Sequence, residues 1–292
     1  MDFRNRVLEQ VNGPGTAGLG LMSATSWGGS DFLGGMGARR SPAMLVVASG
    51  HFVTMLILLA ICVGGHLALP GRHDLLLSGL GGFEGALALV LFYRALAMGA
   101  MGLTAALTGL LTALVPVLFS LIQEGLPSRI TALGLAAGLA AIALITAPDR
   151  DRDKAEKTPP AALLLGAIAG LGFGTQLVLF KLAAGGSALW TMTAARGAGV
   201  TAMVLVLLVA PPKLPWRGFW LFGVSAGVLD TLGNLLYIET TRSGRLDVAA
   251  VICSLYPAGT ILLAAVVLRE WPTRRQLAGI VLALGAVALL SA

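Results

Sequence analysis

Charge is what this sequence has least of. Asp, Glu, Lys and Arg make up 12% of its 292 residues, about half the share found in a soluble globular domain. Such a chain cannot cover a water-facing surface in the usual way. There are two cysteines, Cys62 and Cys253, both inside apolar runs, which excludes a disulfide framework. The three histidines, His51, His66 and His73, have no partners at metal-ligand spacing, so no metal site is read. The motifs of soluble enzymes are missing as well: there is no GxSxG elbow, no GxxxxGK[ST] phosphate loop, no HExxH and no complete GxGxxG. No cofactor and no catalytic residue are therefore expected. "GLGFG" at 170–174 belongs to a Gly166, Gly170, Gly174 series at four-residue spacing in an apolar run, a pattern that serves close helix packing.

What is present is apolar. Hydrophobic residues are 57% of the chain, and the mean hydropathy is +0.87. With 39 glycines and only 6% aromatics, small residues must supply much of the helix contact surface, as in helices packed within lipid. The net charge of +6 is spread singly or in pairs between apolar blocks; it reads as loop charge in contact with a bilayer, with no nucleic-acid partner. The first fifteen residues lack the apolar core and cleavage site of a removed signal peptide.

About 20 apolar residues make one crossing. On that measure the expected fold is an all-α integral membrane protein with ten transmembrane helices, near 16–37, 43–67, 75–98, 101–122, 129–147, 161–182, 187–210, 217–241, 246–268 and 274–291. The longest polar stretch, 148–160, falls at the midpoint. The expected organisation is thus a polar segment 1–15, a five-helix unit 16–147, a linker 148–160 and a second five-helix unit 161–292. The halves echo each other. "EGLPSRITALG" (124–134) and "EWPTRRQLAG" (270–279) share a Glu, a Pro-Ser/Thr-Arg and a later Gly, and "ASGHFVTMLIL" (48–58) aligns with "ARGAGVTAMVL" (195–205) at Ala, Gly, Val and Thr. Because five is odd, a duplicated second copy enters the membrane upside down, giving the inverted repeat that recurs among transporters with a site between the halves. Counting Lys and Arg in the loops favours an outside N-terminus.

Polar residues inside the apolar runs are the candidate site. Asp230, Asn234, Tyr237 and Thr241 make one stripe of the eighth helix, and an acid at membrane depth should face a partner or a wet cavity. In the third helix Glu84 sits among Gly81, Gly82 and Gly85. The first helix offers Ser23, Ser26, Trp27 and Ser30 on one face with Asp31 beside it. The fourth offers Thr104, Thr108 and Thr112 before Pro116. Gln176 and Lys181 lie in the sixth, Tyr256 precedes Pro257 in the ninth, and His51 and Arg196 occupy nearly matching places in the second and seventh. For each alone, an interhelical hydrogen bond explains the residue as well as a ligand does. Together, Trp27, Ser30, His51, Glu84, Thr108, Gln176, Arg196, Asp230, Asn234, Tyr237 and Tyr256 describe a substrate cavity.

Ten helices with "QEGLPSR" and "LREWPTRRQLAG" at the fourth-to-fifth turn of each half, and "YRAL" at 93–96, resemble the drug/metabolite transporter superfamily, specifically its EamA-type members; "YIETT" at 237–241 keeps only the tyrosine of that third-helix pattern. The resemblance implies a multi-pass carrier of the bacterial inner membrane that moves a small-molecule solute outward by alternating access, with protons as a candidate coupling ion and a monomer or homodimer as the assembly. Members also carry drugs, sugar phosphates and nucleotide sugars. Few intramembrane bases and several acids and amides favour amino acids or neutral-to-cationic metabolites over phosphorylated solutes, and the resemblance extends to the aromatic amino acid exporters. The alternative of an integral-membrane transferase needs an acid or histidine cluster in an interfacial loop, whereas the only acid-rich loop, 148–160, is balanced by lysines and reads as a solvated linker.

Overall fold

A computed structural model describes residues 14–98, 101–146, 159–212, 218–263, 265–266 and 271–291. Residues 1–13 and most of the expected linker lie outside the described residues. The described chain is helical throughout, with no strands among the described residues: α1 (Pro14–Ala38), α2 (Ala43–Gly64), α3 (Arg72–Ala97), α4 (Met101–Gln123), α5 (Arg129–Thr146), α6 (Pro160–Leu182), α7 (Ala188–Val209), α8 (Phe219–Ser243), α9 (Leu246–Cys253), α10 (Tyr256–Leu263) and α11 (Arg274–Leu290).

Local chemistry sets the ends. Pro42 and Pro159 precede α2 and α6, where the missing proline N–H costs nothing. Thr273 and Gln276 form a capping box at the start of α11, satisfying two otherwise orphaned donors. The second helix stops at Gly64, short of the expected 67, because His66 takes a left-handed conformation with φ 50. The expected continuous helix 246–268 is instead the two segments α9 and α10. Pro257 has no N–H to continue the ladder, and the chain turns at Ser254 and Leu255.

Among the described residues six helical stretches are long and apolar enough to cross a membrane: Ala43–Gly64, Arg72–Leu96, Pro160–Leu182, Ala188–Val209, Phe219–Ser243 and Leu246–Leu263; Leu107–Gln123 and Arg129–Ile145 are shorter apolar helices. Their outer faces carry large apolar side chains, such as Phe52, Leu56, Ile57 and Ile61 on α2 and Leu277, Val281 and Leu284 on α11. An exposed apolar surface this extensive is what lipid solvates.

The principal helix contacts run between the two halves of the chain. α1 packs on α8 and α10, α6 on α3 and α4, α2 on α7 and α8, α7 on α3, α9 on α4, and α5 on α11. Glycines allow the close crossings. A Cβ on Gly50 of α2 would meet Gly227 Cα of α8 at 3.0 Å, and one on Gly28 of α1 would meet Tyr256 O at 2.7 Å. The Gly166, Gly170 and Gly174 series faces Thr104, Thr108, Leu111 and Val115 of α4, as its spacing predicts.

Candidate functional site

These crossings enclose a cavity of about 50 Å³, lined from α1 by Trp27 and Asp31, from α2 by His51, from α3 by Gly85 and Leu89, and from α4 by Thr112. Phe173, Gln176 and Leu177 of α6, Arg196 of α7, Asp230 and Asn234 of α8 and Tyr256 of α10 complete it. That is room for roughly three to five waters. A second pocket of about 10 Å³ shares His51, Leu89 and Asp230 and adds Ser30 and Tyr93.

An ion pair forms the cavity's centre. Arg196 Nη2 lies 2.5 Å from Asp230 Oδ2, the arginine side chain being 3% exposed and the carboxylate 20%. Arg196 Nη1 is 3.1 Å from His51 Nε2. A guanidinium only donates, so Nε2 accepts and the imidazole is neutral, with its proton on Nδ1. Both that Nδ1 and Arg196 Nε are buried without a hydrogen-bond partner. Asn234 donates from Nδ2 to the backbone carbonyl of Asp230 at 2.8 Å, which orients the amide beside the pair. Trp27 and Tyr256 meet edge to face, centroids 6.3 Å apart, and Trp27 also packs on Tyr237 at 5.9 Å.

Three of the large side chains here lie against a glycine of another helix. His51 lies against Gly199 and Gln176 against Gly85, while a Cβ on Gly233 would come within 2.7 Å of the Trp27 Nε1. An alanine at any of the three would move a cavity-lining group, so these glycines position the site by leaving space for it.

Of the residues expected from sequence, Trp27, His51, Gln176, Arg196, Asp230, Asn234 and Tyr256 line the main cavity. Ser30 lines the smaller pocket. Three lie elsewhere. Thr108 donates to Gly166 O at 2.9 Å and ties α4 to α6. Tyr237 donates to Leu177 O at 2.9 Å and supports Trp27 from behind. Glu84 is half-buried, with Oε1 enclosed and unpartnered, and it lines neither pocket. Its neighbouring glycines receive Phe180, Ala195 and Gln176 from α6 and α7 rather than opening a path to the acid. Asp31, beside the predicted face of α1, and Thr112, one turn beyond Thr108, are the lining residues that the polar stripes already pointed to; Leu89, Phe173 and Leu177 had no polar signal.

A second polar cluster lies where helices end. Arg245 donates to Asp247 twice, Nε to Oδ1 at 3.1 Å and Nη2 to Oδ2 at 2.9 Å, and to Gly125 O at 3.0 Å. Glu124 accepts from Ser120 Oγ at 3.0 Å and from the backbone of Leu246. Burial opposes the Arg245 charge, but the bond to and attraction of Asp247, with Glu124 behind it, raise its pKa above the ordinary value. Lys181 donates to the carbonyls of Thr241 and Gly244, Arg242 to those of Ala184 and Gly186, and Trp190 Nε1 to Leu67 O at 3.0 Å. The expected inward role of Lys181 is thus an anchor between the end of α6 and the turn after α8.

Residues 160–292 match the EamA-like transporter family. That family consists of transporters, not enzymes, and with the apolar helices the match makes this a multi-pass membrane protein. No curated protein matches the chain. Among solved structures 28 chains match. In one crystal structure the likeness has a TM-score of 0.73 at 19% identity and covers 94% of this chain and 95% of that one. At that identity the likeness is one of fold.

Proposed function

We propose that the protein is a secondary transporter that carries small metabolites, amino acids including aromatic ones, outward across the inner membrane by alternating access. Exchanging the halves supports the underlying five-plus-five repeat: α1 on α8 corresponds to α6 on α3, α2 on α8 to α7 on α3, and α4 on α6 to the α9–α10 path on α1. A pseudo-two-fold arrangement of this kind gives two related packings that open to opposite sides in turn.

The observation that carries the substrate class is the Arg196–Asp230 pair in a cavity that also holds Trp27 and Tyr256. An amino acid has a carboxylate for the guanidinium and amide donors, an ammonium for the carboxylates and, in the aromatic members, a ring for Trp27. A phosphorylated solute needs several converging bases, and Arg196 is the cavity's only Lys or Arg among the lining residues.

Purified protein in liposomes loaded with unlabelled tryptophan should accumulate labelled tryptophan by counterflow above protein-free controls. Asp230→Asn should lower the rate by about tenfold, the loss of one charge-assisted contact. Wild-type protein that gives no counterflow with any of the standard amino acids overturns the substrate reading.

A further inference from the structure

We infer that Asp31 is the cation-binding group of this cavity, holding the ammonium of an organic amine and, when no amine is bound, a proton. The inference rests on reading the cavity as the transport site. It adds which residue reads the solute and what is exchanged for it.

The argument is a charge count. Arg196 is already matched by Asp230 at 2.5 Å. His51 contributes no charge, because its Nε2 accepts from the same guanidinium. Asp31 lines the same cavity and has no hydrogen bond or ion pair among the described residues, while it lies near enough to Asp230 for the two carboxylates to repel. With both acids ionised the lining carries one uncompensated negative charge in a space of about 50 Å³. Such a charge in a low-dielectric interior is costly unless a cation meets it.

Among the described residues, the surroundings of Asp31 supply no such cation. The helices packed on α1 present Asp230 and Tyr237 from α8, His51 from α2, Tyr93 from α3, Cys253 from α9 and Tyr256 from α10. The one base, Arg196 of α7, is committed. Trp27 and Tyr256 add ring faces, which attract an ammonium. The charge count also ranks solutes: a monoamine without a free carboxylate neutralises the site, whereas a zwitterion leaves the excess charge in place. Binding of the ammonium expels the proton from the Asp31 carboxyl to solvent, so that one proton leaves for each amine that enters.

The test uses tryptamine and tryptophan on the purified full chain. Tryptamine should bind more tightly than tryptophan. In weakly buffered solution it should release up to one proton per amine, and its affinity should fall by about tenfold per pH unit once acidification protonates Asp31, the limit for one competing proton. Asp31→Asn, of the same shape, should bind tryptamine at least tenfold more weakly, independently of pH and without proton release, and Asp31→Glu should restore part of the pH dependence. Unchanged affinity and pH dependence in Asp31→Asn overturns the inference. If that variant does not fold, pH-independent binding of tryptamine by the wild type, or no binding at all, overturns it equally. Tryptamine binding with proton release in a protein that gives no amino acid counterflow upholds Asp31 while defeating the amino acid reading.

Discussion

Two arginine–aspartate pairs in this molecule have the same chemistry and different surroundings. Arg245 and Asp247 meet through two hydrogen bonds, and each has a further partner: Arg245 reaches Gly125 O, and Asp247 accepts from the Val248 N–H at 2.8 Å. Arg196 and Asp230 meet through one short bond, leave Arg196 Nε and His51 Nδ1 without partners, and share their cavity with a second carboxylate. A satisfied pair locks a turn. An incompletely satisfied pair beside open space is poised to exchange partners, which is what a binding site requires. The position of an ion pair in the membrane says less about its role than the count of groups left over around it.

The largest expected break in this comparison comes from Arg196→Met. It leaves the partly buried Asp230 beside Asp31 with no guanidinium to meet it, and should lower stability by about 3–5 kcal/mol, the cost of breaking such a pair, and abolish counterflow. The double variant Arg196→Met with Asp230→Leu should recover most of the melting temperature in detergent but none of the transport, because shape is restored and charge is not. Recovery of both would make the cavity pair as structural as the other one.

Arg245→Met should act in the opposite way. Losing its charged hydrogen bonds should cost about 1–3 kcal/mol, read as a lower melting temperature, while counterflow per folded molecule below the melting range stays at the wild-type rate. A selective loss of transport without loss of stability would move the helix-end cluster into the transport cycle.

Glu84→Gln should do least. The acid lines neither pocket, so its neutralisation should change stability by about 0.5 kcal/mol or less and leave counterflow unchanged within error. A loss as large as that of Asp230→Asn would return Glu84 to the site that its glycine setting first implied.

Glu84 and Asp31 also show how far the residues could be read alone. Both are acids on apolar helices, so both marked positions where lipid contact is unfavourable. The stripe of α8 placed Asp230 and Asn234 on one face, and both line the cavity, because a helix's 3.6-residue period is a local property. Which neighbour covers a face is not local. The glycines around Glu84 allow either a close helix or a water-filled gap, and only the structure shows that they belong to the crossings with Gln176, Phe180 and Ala195. Leu89, Phe173 and Leu177 look like any other membrane residues until α3 and α6 are brought together. The break between α9 and α10 was half legible, since Pro257 announces a disrupted ladder but not whether the helix bends or stops.

Composition and periodicity therefore determined that the chain is helical, that it sits in lipid, where its helices run and which faces are polar, since these depend on solvation and on repeats within one helix. Only the tertiary structure decided that the halves pack mainly on each other, that Arg196 meets both His51 and Asp230, and that Asp31 is left over. Those outcomes depend on which small residues let which backbones approach, a property of helix pairs that lie up to 232 residues apart, as Thr260 and Gly28 do.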